Sequence, residues 1–155
     1  VVPELVEQIV KAKGDIQQEG VIKPVTVLFT DIQNFTTLSE DLSPQRVITM
    51  LNTVFNPVTK CIVENSGMLD KYIGDEVMAL FNAPIDIENY QDKSIKAAIE
   101  IHKCLKAVNS ALHKQNIPPI KLSLGIASGK ALAININNVN TNSPEPIITA
   151  KYLIG

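Results

Sequence analysis

Two strand-like segments of this sequence each lead to an aspartate, and this pairing restricts the possible folds more than any other feature. Val25–Phe29 is β-branched and aromatic, as central strands are, and Asp31 follows it. Asp75 lies in the short turn between two further strand-like runs, Met68–Tyr72 and Val77–Phe81. This spacing predicts a hairpin with Asp75 near its tip. A single sheet that contains all three strands can bring the two carboxylates to one edge.

Two longer segments carry apolar residues at helical spacing. The first starts at Ser43-Pro44, an N-cap followed by proline at the first helical position, and continues to Ser66-Gly67. The second covers Asn89–Asn116 and stops before Pro118-Pro119, because proline cannot continue a helix. Each segment therefore predicts a long helix with one apolar face.

Two more strands are predicted after the second helix, Ile120–Ser128 and Lys130–Ile136, on either side of Gly129. The element order is then β-α-β-β-α-β with an extra strand near the end. This order predicts an α+β fold: a ferredoxin-like βαββαβ sheet with helices packed on one face, plus an additional C-terminal strand or arm.

Length and charge limit the organisation and the partners. The 155 residues are enough for one core and too few for two ordinary domains, so residues 1–155 are interpreted as a single domain. Val2–Lys11 predicts a short amphipathic helix, and residues 1–20 are interpreted as a leading helix and linker. The net charge is -2, with basic and acidic residues interspersed, so no nucleic-acid partner is expected.

Cysteine usage and hydropathy indicate the compartment. Cys61 and Cys104 are isolated in helix-like segments without metal-ligand spacing, which favours buried thiols in a reducing compartment over a disulfide. No apolar run approaches the roughly 20 residues that span a bilayer. We therefore expect a cytoplasmic location, with no membrane contact from this chain, either alone or as the cytoplasmic domain of a larger protein.

The paired aspartates indicate metal and phosphate chemistry. Two carboxylates from separate strands can bind a pair of Mg²⁺ ions, which keep water and substrate phosphate oxygens as further ligands. Gly74 would let the backbone approach the ions, and the amides of Ile32–Thr36, if they open a helix, would point toward a polyphosphate. Alternatively, Asp31 caps a helix and Asp75 occupies a turn. Their joint position at strand ends favours the metal site and a nucleoside triphosphate.

Four segments carry a resemblance to a known family. They are Val25–Thr36, Asp70–Phe81 with its Lys-x-x-Gly-Asp core, Phe81-Asn82-Ala83-Pro84, and Gly125–Gly129. Together they resemble the class III nucleotidyl cyclase catalytic domain, which makes cyclic AMP or cyclic GMP, and in particular the bacterial-type adenylate cyclases. The resemblance covers roughly residues 1–138.

The resemblance implies a role for each residue near the two aspartates. Asp31 and Asp75 would be catalytic ligands of two Mg²⁺ (or Mn²⁺) ions per site, with the backbone carbonyl of Ile32 as a further ligand. Gly74 would shape the turn, and the phosphates would be cradled by the loop residues Gln33, Asn34, Phe35 and Thr36. One ion would activate the ribose 3′-hydroxyl, and the other would hold the triphosphate and neutralise the leaving pyrophosphate.

Lys71 matches the position where adenylate cyclases carry a lysine that donates to N1 of adenine and where guanylate cyclases usually carry glutamate. Guanine presents a donor there instead of an acceptor, so ATP is favoured over GTP. The alternative is that Lys71 is a solvent-exposed lysine of a strand with no role in base recognition. Because family members are head-to-tail dimers, the resemblance also implies that Lys71 serves the partner's site, in a homodimer or in a heterodimer with another cyclase domain.

The last quarter of the sequence departs from the family pattern. Ile134–Asn137 keeps an Asn-Ile pair but lacks the flanking glycines of a Gly-Asn-Ile-Gly hairpin. If the alignment with the family is continued without gaps, Glu145 falls at the family's second base-recognising position. Tyr152 then falls at the asparagine that family members carry on a helix. The family's arginine, four residues after that asparagine, would fall beyond Gly155. The final part of the domain is therefore expected to be missing or diverged. A further alternative is that Asn135–Ser143, which is rich in Asn and Thr, forms a flexible arm in which the register is lost.

Three functions stay open at this point. The first is an adenylate cyclase, with guanylate cyclase as its variant. The second is a noncatalytic or partner-dependent domain that binds nucleotide and metal. The third is a diguanylate cyclase or polymerase-palm relative, because Gly74-Asp75-Glu76 is similar to a Gly-Gly-Asp-Glu-Phe hairpin, although Ile73 and Val77 break that pattern.

Overall fold

An antiparallel sheet forms the centre of the computed structural model, which describes residues 21–137 and 148–154. Within those residues the sheet has five strands in the order β2-β3-β1-β4-β5. The Val2–Lys11 helix and the linker predicted for residues 1–20 lie outside the described residues. The strands are β1 (Val21–Ile32), β2 (Met68–Ile73), β3 (Glu76–Phe81), β4 (Leu122–Asn137) and β5 (Ile148–Ile154), and the helices are α1 (Phe35–Glu40), α2 (Pro44–Glu64) and α3 (Tyr90–Lys114).

The predicted α+β fold is confirmed, including the split order of the central strands. The additional strand is β5, whereas the sequence predicted it at Lys130–Ile136. The N-cap of α2 is Ser43, whose hydroxyl accepts the backbone N–H of Arg46 at 3.4 Å. The hairpin of β2 and β3 turns at Gly74-Asp75, as the spacing predicted. The short helix α1 follows β1 directly.

The predicted break at Gly129 is wrong. Residues 122–137 form one continuous strand, and Gly129 pairs with Val25 in an unbroken antiparallel register with β1. A glycine weakens a strand but does not end it when a long partner strand continues the hydrogen-bonded ladder. The predicted flexible arm is also wrong at its start, because Asn135 to Asn137 pair with β5.

Both long helices pack on one face of the sheet. Their buried residues, among them Val54 and Ile101, meet Leu28, Ile32 and Phe81 from the strands. The opposite face carries a second apolar cluster, whose buried members are Val25, Val27, Met78, Leu80, Ala83 and Ala131. Strand β1 is thus covered on both faces, which explains why its sequence is a continuous apolar run.

The close contact at Gly67 leads to a stability prediction. A Cβ atom there would lie 2.7 Å from Phe81 Cζ and 2.8 Å from Ile62 Cγ2, and both of those side chains are fully buried. Gly67→Ala is therefore expected to lower the free energy of unfolding by about 2 kcal/mol, measured by urea denaturation. Gly129→Ala is the matched control, because nothing lies within 4 Å of its added Cβ. Equal unfolding midpoints for the two variants would contradict this packing.

Cys61 and Cys104 lie on α2 and α3 as free thiols. Both are half-buried, so the predicted thiols are free but less buried than expected. Burial, reinforced by the neighbouring Cys104 thiol, raises the pKa of Cys61 to about 11. Both thiols are therefore protonated and poorly nucleophilic near neutral pH. None of the helices in residues 21–137 has the length and apolarity that a membrane crossing needs.

Candidate active site

The structure brings the two acidic segments together. Asp31 lies exposed near the end of β1, and Asp75 lies half-buried in the turn between β2 and β3. The Asp75 Oδ2 atom accepts a hydrogen bond of 3.1 Å from the backbone N–H of Ile32. The β1–β3 ladder reaches Thr30 and Val77, just before this contact. The turn is therefore fastened against the residue that follows Asp31.

Gly74 has a conformational role in this turn. Its φ is +60°, in the left-handed region that side-chain-bearing residues adopt at a cost. Open space surrounds the position where a Cβ would lie. The turn geometry, and not a close contact within the described chain, therefore accounts for glycine beside Asp75.

The loop after Asp31 uses its first two amides within the protein. The Ile32 N–H donates to Asp75, and the Gln33 N–H donates to the carbonyl of Lys121 at 2.9 Å. Asn34, with φ 57°, then turns the chain into α1, whose first hydrogen bond runs from the Leu38 N–H to the Asn34 carbonyl. The N–H groups of residues 35–37 precede that bond and point out of the first turn.

Lys71 points to the same sheet face as Asp31. Lys71 lies opposite Met78, and Met78 in turn lies opposite Phe29. Cross-strand partners share a face, and residues two apart on a strand share it as well, so Phe29 and Asp31 belong to this side. The Lys71 side chain is 41% exposed, and its Nζ atom lies 3.3 Å from Asp70 Oδ2. Asp31, Asp75 and Lys71 therefore border one region of the sheet.

Sequence comparison identifies the family. The sequence pattern of the adenylate and guanylate cyclase catalytic domain matches residues 17–142. The chain belongs to this family. This cyclase domain is 33% identical over 108 residues to adenylate cyclase 1 of Rhizobium meliloti (strain 1021), a match that covers 70% of the chain and 16% of that protein. The family match decides against the diguanylate cyclase or polymerase-palm alternative.

Solved structures show the same fold. The guanylyl cyclase Cya2 superposes with a TM-score of 0.78 at 25% identity, covering 86% of this chain and 65% of the other. The adenylyl cyclase CyaB from P. aeruginosa gives a TM-score of 0.76 at 26% identity, covering 87% and 67%. The solved structures with this fold thus include both a guanylyl cyclase and an adenylyl cyclase.

The donor set of this cyclase domain fits hard divalent ions. One Asp75 oxygen is used by the Ile32 amide, which leaves the other oxygen and the exposed Asp31 carboxylate for a metal. In the described part of the chain, no three His, Cys, Asp or Glu residues are placed to enclose an ion. The Ile32 carbonyl, water and phosphate oxygens would have to complete the coordination, as Mg²⁺ sites with one or two carboxylates commonly require.

The C-terminal strand of the structure differs from what the gap-free alignment with the family required. Tyr152 lies in strand β5, where its backbone pairs with Ala133, and not in the helix that the continuation required. The gap-free alignment with the family therefore does not hold at Tyr152. Glu145 lies outside the described residues.

Asp70 is a residue of this region to which the sequence alone gave no role. Its side chain is only 3% exposed, although aspartate is rarely buried without a partner. An aspartate directly before Lys71, in an otherwise apolar strand, is the sequence signal that indicates a special position.

Proposed function

We propose that this cyclase domain converts ATP to 3′,5′-cyclic AMP and pyrophosphate at a dimer interface. The observation that supports this most is the hydrogen bond from the Ile32 N–H to Asp75, since it fastens the two acidic segments at one edge of the sheet. Lys71 lies on the same sheet face as Asp31, which supplies a base-binding group on that face.

Each residue near the aspartates has a task in this proposal. Asp31, Asp75 and the Ile32 carbonyl would hold two Mg²⁺ or Mn²⁺ ions, which when bound supply charge stabilisation for the attacking oxygen and the leaving pyrophosphate. The loop from Gln33 to Thr36 binds the β- and γ-phosphates. Because the Ile32 and Gln33 amides are already engaged, the Asn34, Phe35 and Thr36 amides are the donors for those phosphates.

The reaction itself is an in-line displacement. The ribose 3′-oxygen loses its proton to water and forms a bond to the α-phosphorus, while the bond from that phosphorus to the pyrophosphate oxygen breaks and pyrophosphate leaves. The loop therefore contributes by fixing the triphosphate so that the leaving oxygen lies opposite the attacking one.

Lys71 selects the base in this proposal. Its ammonium donates to N1 of adenine, whereas N1 of guanine carries a hydrogen and repels a donor. In a head-to-tail dimer, homodimeric or with another cyclase domain, Lys71 enters the site that contains the partner's aspartates. Ile73, exposed on the same strand, would be covered by that partner.

Exchanging the charge of Lys71 tests the choice of base. Lys71→Glu is expected to lower kcat/KM for ATP by about 10–100-fold and to shift the ATP-to-GTP preference toward GTP, because glutamate accepts from guanine N1–H. Initial rates with ATP and GTP in Mn²⁺ measure this shift. Lys103→Glu, an equal charge change on exposed α3, is the matched control. An unchanged ATP-to-GTP ratio would contradict the assignment.

A partner-dependent domain is the second candidate, and Arg46 favours it. Arg46 is the single arginine of the 155 residues. Its Nη2 atom donates to the Gln115 carbonyl at 3.2 Å and to the Asn116 carbonyl, which joins the start of α2 to the end of α3. A guanidinium for the transferring phosphate would therefore have to come from outside these residues. Metal-dependent ATP binding without turnover would identify this candidate.

The cytoplasmic location and the extent of the domain stay predictions. The family pattern begins at residue 17, and residues 1–20 lie outside the described structure. The chain spans 16% of the length of the Rhizobium meliloti relative.

A further inference from the structure

A β-bulge in β2 determines which way Lys71 points. Leu69 and Lys71 lie opposite consecutive residues of β3, so Asp70 is an extra residue between two paired positions. Side chains alternate between the faces of a strand, and without the extra residue Lys71 would lie opposite Val77 and point toward the helices. The bulge at Asp70 instead turns Lys71 to the face of Asp31. Bulges are known to redirect side chains beside active sites.

The Asp70 carboxylate is buried in an unusual way. Its side chain is 3% exposed, and its Oδ2 atom is buried without a hydrogen bond in the described part of the chain. The Lys71 Nζ atom lies 3.3 Å from that oxygen, close enough for an ion pair although the angles do not make a hydrogen bond. A buried carboxylate is costly unless a cation accompanies it, so the Lys71 ammonium offsets the cost of burying Asp70.

We propose that Asp70 is a positioning residue for base recognition: its buried carboxylate holds the Lys71 ammonium on the nucleotide-binding face. The inference rests on the proposed function, in which Lys71 donates to adenine N1. A free lysine side chain has four rotatable bonds and loses their freedom on binding, and a fixed anion beside it reduces that loss. Asp70 touches neither the base nor the reacting atoms and acts only through Lys71.

Binding of 3′-deoxy-ATP tests this role, because this analogue lacks the attacking hydroxyl and cannot be cyclised. Asp70→Asn keeps the shape of the side chain and removes its charge. We expect it to weaken binding of 3′-deoxy-ATP with Mg²⁺ by about five- to tenfold in calorimetry. Tripolyphosphate has no base, so its affinity should stay unchanged. In the Lys71→Ala background, Asp70→Asn should cause no further loss.

Turnover provides a second readout. Asp70→Asn should raise KM for ATP by a similar factor and leave kcat nearly unchanged, because Asp70 is remote from the reacting phosphorus. Asp41→Asn, an exposed aspartate at the end of α1, is the control and should change neither value.

The outcomes separate this inference from the function on which it rests. If the unchanged chain fails to bind 3′-deoxy-ATP, the proposed function is wrong and this inference falls with it. If the unchanged chain binds the analogue but Asp70→Asn binds it equally well, only the positioning role is overturned. A matching loss of tripolyphosphate affinity would also overturn it, since the effect would then be a general disturbance of the site. Additive losses in the Asp70→Asn, Lys71→Ala double variant would show that Asp70 does not act through Lys71.

Discussion

Replacing Asp31 by asparagine is expected to lower cyclic AMP formation from ATP by about 10³-fold while leaving the fold intact. The Asp31 side chain is exposed at the end of β1, and no hydrogen bond holds it within the described residues. Removing its charge therefore disturbs little packing but takes away half of the carboxylate charge available for divalent ions. Initial rates in saturating Mn²⁺ and ATP, together with thermal unfolding, measure both effects.

Asp41→Asn provides the control for the loss of a negative charge. Asp41 is also exposed and lies only about ten residues further along the chain, at the C-cap of α1 and away from the hairpin turn. The activity of Asp41→Asn should stay within about twofold of the activity of the unchanged chain. If Asp31→Asn kept more than about a tenth of the activity, the role of this carboxylate in a metal site would be refuted.

Mixing two impaired variants should restore activity with ATP. Asp31→Asn damages the metal-binding half of a site, and Lys71→Glu damages the base-binding half. In a head-to-tail homodimer these halves come from different chains, so each mixed dimer contains one site with both halves intact. An equimolar mixture is expected to recover about a quarter of the activity of the unchanged chain, since half of the dimers are mixed and each has one working site. Cyclic AMP production after co-refolding or exchange measures the recovery.

A second mixture distinguishes shared sites from general rescue. Asp31→Asn and Asp75→Asn damage the same half, so their mixed dimers have no intact site and should stay inactive. Asp75→Asn is suitable because an asparagine oxygen can still accept the Ile32 N–H and so retain the turn. Recovery in this mixture, or no recovery in the first, would contradict a site built from two chains.

Much of the fold was predictable because hydrophobic periodicity and caps determine it locally. The Ser43-Pro44 signal marked the start of α2, and the apolar run from Val25 marked a strand covered on both faces. The continuity of β4 was not predictable in this way. Gly129 is a weak strand residue by itself, and its place in the ladder depends on β1, which lies about a hundred residues earlier in the chain.

The site was only partly predictable for the same reason. The positions of Asp31 and Asp75 at strand ends follow from local sequence, but the hydrogen bond that joins Asp75 to Ile32 arises from the pairing of β1 with β3. The face on which Lys71 lies depends on one extra residue, Asp70, in the register of β2. The aspartate before Lys71 signals a special position, but the register shift itself arises only from the pairing of β2 with β3. An alternating strand without the bulge would place Lys71 on the other face.

Formation of cyclic AMP and pyrophosphate from ATP by the purified chain directly tests the proposed cyclase activity. The assay compares Mg²⁺, Mn²⁺ and chelator, with GTP as the competing substrate and Asp31→Asn as the inactive reference. An adenylate cyclase site predicts metal-dependent production of cyclic AMP in equal amount with pyrophosphate, faster from ATP than from GTP and lost in Asp31→Asn. Metal-dependent ATP binding with no cyclic AMP at any chain concentration would contradict it.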